Sequence, residues 1–256
     1  MLTDLQPAEI AGVPVLLGGR RSGGTQPLAI VIAADLGTML QRHDYSAIAR
    51  HLQADGFLSL AIDPPAHGAD RRDAEAGDLS SWPTRVHEPD GLIRPFVERV
   101  GRVLDQLVAE RSVDERRIVA IGTSRGAFCA LHLAAADSRV KAVAARSPVV
   151  DLRDLSEFAS VATDPALAEL SLESVVPALA DRPVWISIGN DDRRVNTDRA
   201  IAFARSLARA AQTRPAPVSL RVGISHGHEA PPGRDLEAAE FLRHYSLIEK
   251  SEARGA

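Results

Sequence analysis

The sequence contains very little cysteine, and this limits how the fold can be held together. Cys129 is the only cysteine among the 256 residues, so an intramolecular disulfide is excluded, and a reducing compartment fits this composition. No apolar run approaches the roughly 20 residues that cross a bilayer. The first residues also lack the basic and then apolar order of a secretory signal. We therefore expect a cytoplasmic protein.

An excess of charge of either sign is also missing. There are 30 basic and 34 acidic residues, which give a formal net charge of -4. This balance argues against nucleic acid and against an anionic membrane as partners. We expect a small, uncharged molecule as the partner, and the sequence leaves a homodimer open.

Two kinds of cofactor signal are absent. The glycines of GRRSGGTQP (19–27) lack both the Gly-x-Gly-x-x-Gly order and the Gly-Lys-Ser/Thr ending of phosphate-binding loops, and no helix is predicted to follow them. His226 and His228 are close in sequence, but no further ligands stand at the spacing that zinc requires. We expect neither a cofactor nor a metal.

Short β-rich runs alternate with helical periodicity along most of the chain. This alternation predicts an α/β fold with a mostly parallel central sheet and helices on both faces. The runs are 13–18, 28–34, 57–63, 117–122, 140–147, 183–189 and 217–223, and the predicted helices are 44–56, 93–112, 124–137, 197–211 and 235–245.

We expect one domain over residues 1–248, followed by a flexible C-terminal tail, 249–256. The glycine-rich segment between the first two runs predicts a hairpin, so the sheet opens with antiparallel strands. The two least regular segments, 64–91 and 147–182, are too short for a separate domain. They are expected to lie over the carboxyl ends of the strands, where open α/β sheets bind ligands.

Ser124 lies between two glycines, where a predicted buried strand passes directly into a predicted helix. A serine hydroxyl needs a base to accept its proton and donors to stabilise the oxyanion that its attack creates. A sharp turn between strand and helix can place the serine hydroxyl near a base and near the oxyanion donors. Its flanks must be small, as Gly122 and Gly126 are, and it points the Arg125 amide at the reaction centre.

This strand, Gly-x-Ser-x-Gly turn and helix resemble the nucleophile elbow of the α/β-hydrolase superfamily, and the resemblance extends from about Gly12 to Tyr245. It implies an acid after a later strand and a histidine after the last one. ISIGNDDRRVN (186–196) is similar to the family's acid element and favours Asp192. ISHGHEAP (224–231) is similar to its His-Gly turn and favours His226.

Alternatives remain at both positions. Asp191 is adjacent to Asp192 and competes with it, while Asp151 after the preceding strand is a remote third candidate. His228 competes with His226, which we prefer because it precedes the glycine.

The oxyanion region departs from the family pattern. Many members end their third strand with His-Gly, whereas this chain has Ala34-Asp35 in the matching place. The backbone N–H of Arg125 and that of Leu36 or Asp35 are the expected oxyanion donors. A carboxylate beside an oxyanion is unfavourable unless it is paired, so we expect Arg125 to form an ion pair with Asp35.

The resemblance implies a serine hydrolase. No large cap domain is predicted, so the chain most resembles the catalytic domains of the dienelactone hydrolase and prolyl-oligopeptidase-like types. The expected substrate is a small carboxylic ester or a related thioester, lactone or amide. The alternatives are a non-hydrolytic enzyme on the same triad, such as one that cleaves a carbon–carbon bond, and a hydrolase-fold binding protein with impaired catalysis.

Overall fold

The structure, a computed structural model, describes residues 5–42, 44–212, 216–229 and 231–246. The predicted flexible tail, 249–256, lies outside the described residues.

A single sheet forms the centre of the molecule. Within the described residues it has eight strands in the order β1-β2-β4-β3-β5-β6-β7-β8. The strands are β1 (Gln6–Ile10), β2 (Val13–Gly18), β3 (Gln26–Ile32), β4 (Leu58–Ala61), β5 (Val113–Thr123), β6 (Val140–Arg146), β7 (Val184–Gly189) and β8 (Val218–Gly223).

The sheet is parallel except at its N-terminal end. β2 is antiparallel to both of its neighbours, β1 and β4, whereas every pair from β4 through β3 to β8 is parallel. The expected antiparallel opening and mostly parallel sheet are therefore confirmed.

The predicted hairpin between the first two runs is wrong. β2 and β3 are not neighbours, because β4 is inserted between them. The hairpin at this end joins β1 to β2 through Ala11 and Gly12. β1 was not predicted, since QPAEI has a proline and little apolar alternation.

Nine α-helices are present among the described residues. They are α1 (Leu36–Gln41), α2 (Ala47–Ala54), α3 (Trp82–Arg85), α4 (Arg94–Ala109), α5 (Arg125–Ala136), α6 (Pro165–Leu170), α7 (Leu172–Leu179), α8 (Thr197–Ala210) and α9 (Asp235–Ser246). The five predicted helices correspond to α2, α4, α5, α8 and α9, and their ends shift by up to three residues. The short helices α3, α6 and α7 lie in the segments predicted as irregular.

Two apolar layers cover the two faces of the sheet. One includes Val103 of α4, Phe128 of α5 and Phe203 of α8, and the other includes Leu52 of α2 and Leu242 of α9. Strands covered on both faces become buried along their whole length, as β3 is. Among the described residues, none of the helices has the length and apolar character needed to cross a membrane.

Candidate active site

Ser124 lies on a strained turn at the centre of the sheet. It follows β5 directly and precedes α5, with φ of 56° and ψ of -120°. A positive φ is costly for a residue with a side chain, and it persists only where the surroundings enforce it. Here the Ser124 amide donates to the carbonyl of Arg146 on β6 (2.8 Å), and its carbonyl accepts from Ala127 (3.0 Å).

The two glycines beside Ser124 allow α5 to begin very close to the sheet. A Cβ on Gly126 would lie 1.9 Å from the carbonyl oxygen of Ile32, and one on Gly122 would lie 2.3 Å from the Cα of Ala127. Neither distance permits a side chain. The Gly-x-Ser-x-Gly spacing is thus required by packing between β3, β5 and α5.

His228, and not His226, lies between Ser124 and Asp192. Its Nε2 is 2.9 Å from Ser124 Oγ, and its Nδ1 is 2.8 Å from Asp192 Oδ2. The predicted choice of His226 is therefore corrected. Gly227 forms the turn with φ of 81°. Both histidines are exposed residues, but it is the one after this glycine that faces Ser124.

The polarity of these contacts follows from the chemistry of imidazole. When Nδ1 carries the proton it donates to the Asp192 carboxylate, and Nε2 then presents a lone pair to the Ser124 hydroxyl. The arrangement can accept the serine proton and hold the resulting positive charge against a carboxylate.

Asp192 is buried and held by backbone amides. It is 2% exposed, and its Oδ1 accepts from the amides of Arg194 (3.1 Å) and Val195 (3.2 Å). Its own amide donates to Thr197 Oγ1 (3.0 Å), the first residue of α8. These bonds leave Oδ2 for His228.

The other two acidic candidates lie elsewhere. Asp191 is exposed and paired with Arg193 at 3.1 Å. Asp151 is buried, caps a short 3-10 helix through the amide of Arg153, and lies 3.3 Å from Arg199. The structure brings neither of them to His228.

The oxyanion region differs from the prediction at Leu36. Its amide donates to Asp63 Oδ1 at 2.8 Å, so this N–H already has a strong acceptor and Leu36 is corrected as a candidate donor. The amide of Arg125 makes no hydrogen bond to another described residue, and that of Asp35 contacts only the carboxylate of its own residue. These two amides remain the candidates.

The Asp35 carboxylate caps α1. It accepts from the amide of Thr38 (2.9 Å) and from its hydroxyl (2.6 Å). Burial acts to raise the pKa of Asp35, but the hydrogen bonds from Thr38 and from its own amide outweigh burial and leave the pKa below its ordinary value.

The expected ion pair between Arg125 and Asp35 is absent among the described residues. Arg125 Nε is buried, and no acceptor for it is found in the part of the chain that the structure describes. Its charge instead acts on His67, which is fully buried and whose Nδ1 lies 2.7 Å from the carbonyl of Pro65. Burial, and then the charge of Arg125, lower the pKa of His67.

Comparison with known families decides the relationship of the chain. Residues 36–175 match the family described as the alpha/beta hydrolase fold, which is more than half of the chain. The chain belongs to this family.

Solved structures with the same fold include enzymes of several kinds. This α/β hydrolase is similar to TT1662 from Thermus thermophilus, with 22% identity and a TM-score of 0.73 over 97% of this chain and 100% of the other. Acetyl xylan esterase 1 from Thermoanaerobacterium sp. JW/SL YS485 shares 17% identity and a TM-score of 0.69, over 91% of this chain and 79% of that one.

A cold-adapted esterase from an Arctic intertidal metagenomic library is also similar, with 20% identity and a TM-score of 0.63 over 94% of this chain and 92% of the other. Identities this low relate the folds alone. A search of curated proteins gave no significant match.

Proposed function

We propose that this α/β hydrolase is a serine hydrolase that cleaves small carboxylic esters through an acyl-enzyme. The observation that carries the proposal is the position of His228, within hydrogen-bond distance of both Ser124 Oγ (2.9 Å) and Asp192 Oδ2 (2.8 Å). Three residues from three different loops meet in the order that proton transfer requires.

In the proposed acylation step, Ser124 Oγ attacks the ester carbonyl while His228 Nε2 takes the hydroxyl proton. Asp192 stabilises the imidazolium, and the amides of Arg125 and Asp35 donate to the oxyanion. The C–O bond to the alcohol then breaks, and His228 returns the proton to that alcohol as it leaves.

Deacylation uses the same groups. Water gives a proton to His228 Nε2 and attacks the acyl carbon, and the intermediate then expels Ser124, which regains the proton. The acid is released, so one ester bond and one water molecule are consumed.

The substrate class is inferred from the length of the covering loops. The irregular segments 64–91 and 147–182, after β4 and β6, carry only the short helices α3, α6 and α7 besides 3-10 turns. Such loops suit a compact acyl ester rather than a long lipid chain. Three structural neighbours are named as esterases. Thioesters, lactones and small amides belong in the same substrate panel.

The first experiment is labelling with a fluorophosphonate probe, since phosphonylation requires an activated serine and no knowledge of the substrate. We expect an adduct on Ser124, located by mass spectrometry, and none in Ser124→Ala. A panel of short esters should then show turnover that the same variant abolishes.

Folded protein that takes up no probe would contradict the proposal and favour the binding-protein alternative. Labelling without turnover of any ester, thioester, lactone or amide would favour carbon–carbon bond cleavage by the same residues.

A further inference from the structure

Asp63 connects the loop that follows β4 to the oxyanion region. Its side chain lies just beyond the end of β4 and is 4% exposed. Oδ1 accepts from the amide of Leu36 (2.8 Å), and Oδ2 accepts from the amide of Ala69 (3.0 Å). A buried carboxylate is costly unless such donors satisfy it. The segments that contain Leu36 and Ala69 are therefore both held to the Asp63 side chain.

The glycine in the sequence AHGAD (66–70) is explained by this carboxylate. Gly68 has φ of 50°, and a Cβ there would lie 2.4 Å from each oxygen of Asp63. The loop can fold around the carboxylate only because this residue has no side chain.

The loop around Asp63 is itself fixed to α4 and α3. Arg99 Nη2 donates to the Asp63 carbonyl oxygen (2.8 Å), and the Ala66 amide donates to Asp70 Oδ2 (2.7 Å). Arg99 and the buried Arg85 both form ion pairs with Asp70. Asp63 therefore holds Leu36 from a rigid support.

We infer that Asp63 is a positioning residue that fixes the backbone of Asp35 so that its amide can serve as the second oxyanion donor. The inference rests on the proposed function. Asp63 accepts from the Leu36 N–H, which belongs to the peptide group that joins Asp35 to Leu36. The proposed donor, the Asp35 N–H, belongs to the preceding peptide group. Holding that peptide sets the direction of the Asp35 N–H before the reaction begins, and such preorganisation is what makes an oxyanion donor effective.

The test compares Asp63→Ala with Asp70→Asn. The second variant weakens the same loop but leaves the bond to Leu36 in place. We expect kcat per active site, titrated with the fluorophosphonate, to fall about 10- to 100-fold in Asp63→Ala, because deleting an oxyanion donor costs about 10²- to 10³-fold and a displaced donor costs less. KM should stay within about threefold, and the Ki of a trifluoromethyl ketone transition-state analogue should rise in parallel with the loss of kcat.

Asp70→Asn should keep kcat per titrated site within about threefold of the wild type. If Asp63→Ala does not fold, Asp63→Asn replaces it, since its amide oxygen can still accept from Leu36 and an intermediate loss is expected. An equal loss in the Asp70 variant, or an unchanged kcat in both Asp63 variants, would overturn the inference.

Hydrogen exchange of the Leu36 amide tests the clamp without any substrate. Exchange should be at least about tenfold faster in Asp63→Ala than in the wild type or Asp70→Asn, because a protecting hydrogen bond is lost. Unchanged exchange would overturn the clamp itself. If the wild type takes up no probe, the oxyanion role fails with the proposed function, and exchange still reports whether Asp63 holds this segment.

Discussion

A histidine can act between a serine and an aspartate only if its ring stands between them. His228 meets partners 104 and 36 residues away in the chain. Which of the two neighbouring histidines does so is decided by the path of the turn after β8. The exposed His226 offers a matched control, since it differs from His228 in position and not in chemistry.

We therefore predict opposite results for His228→Ala and His226→Ala. The first should lower kcat by about 10³-fold or more, because the serine loses its base, and should abolish fluorophosphonate labelling of Ser124. The second should retain labelling and stay within about threefold of wild-type kcat. Loss of labelling in His226→Ala alone would restore the original assignment.

The residues that could be predicted from sequence are those whose environment is local. Ser124 and its glycines carry their geometry in five consecutive residues, and Asp192 is held by the amides of Arg194 and Val195, two and three positions along. Nothing local separates His226 from His228. Leu36 and Asp63 follow two neighbouring strands, β3 and β4, and are 27 residues apart in the chain, so the sequence could not show that the Leu36 amide is already engaged.

At the scale of elements, α5 and β3 approach each other with no room for a side chain at Gly126. Gly101 in the middle of α4 is the opposite case, since the nearest atom to a Cβ there is the Arg139 side chain at 4.0 Å. A glycine inside a helix costs about 0.5–1 kcal/mol relative to alanine when nothing requires it.

Alanine substitutions at these two glycines should have opposite signs. Gly126→Ala should lower the free energy of unfolding by more than about 2 kcal/mol, because the Cβ overlaps the Ile32 backbone. Gly101→Ala should raise it by about 0.5–1 kcal/mol. Urea unfolding at neutral pH measures both, and equal stability of Gly126→Ala and the wild type would show that β3 and α5 can separate at no cost.

The elements themselves were largely predictable, while their order in the sheet was not. Amphipathic and buried periodicities are carried by each segment, as in α4 and β5. The neighbours of a strand depend on the crossover connections. The turn-like residues after β2 do not reveal that β3 forms one position away from β2, with β4 later filling the position between them.

At the scale of the whole molecule, His132 makes folding stability depend on pH. It lies on α5, is 7% exposed, and contacts the Leu170 carbonyl through Nε2 at 3.0 Å. Burial lowers its pKa from 6.5 to about 4. Between these values the unfolded chain binds a proton that the native protein does not, so stability falls as the pH decreases from 6.5 towards 4.

We predict that His132 accounts for a loss of about 2–3 kcal/mol between pH 7 and pH 4.5, since one pKa unit corresponds to about 1.4 kcal/mol. In His132→Gln, whose amide can still donate to Leu170, the loss over this range should be smaller by that amount. Urea unfolding of both proteins at the two pH values measures the difference, and parallel pH profiles would contradict the prediction.

The hairpin of β1 and β2 also has a consequence for association between molecules. β4 is buried along its length, and β2 forms the backbone hydrogen bonds on its outer side. The outermost strand, β1, has an exposed proline, Pro7, and an acidic residue, Glu9, which both discourage the addition of another strand. Removal of residues 1–19, which include β1 and β2, would expose the edge of β4. This hairpin therefore protects the protein against intermolecular sheet growth and aggregation.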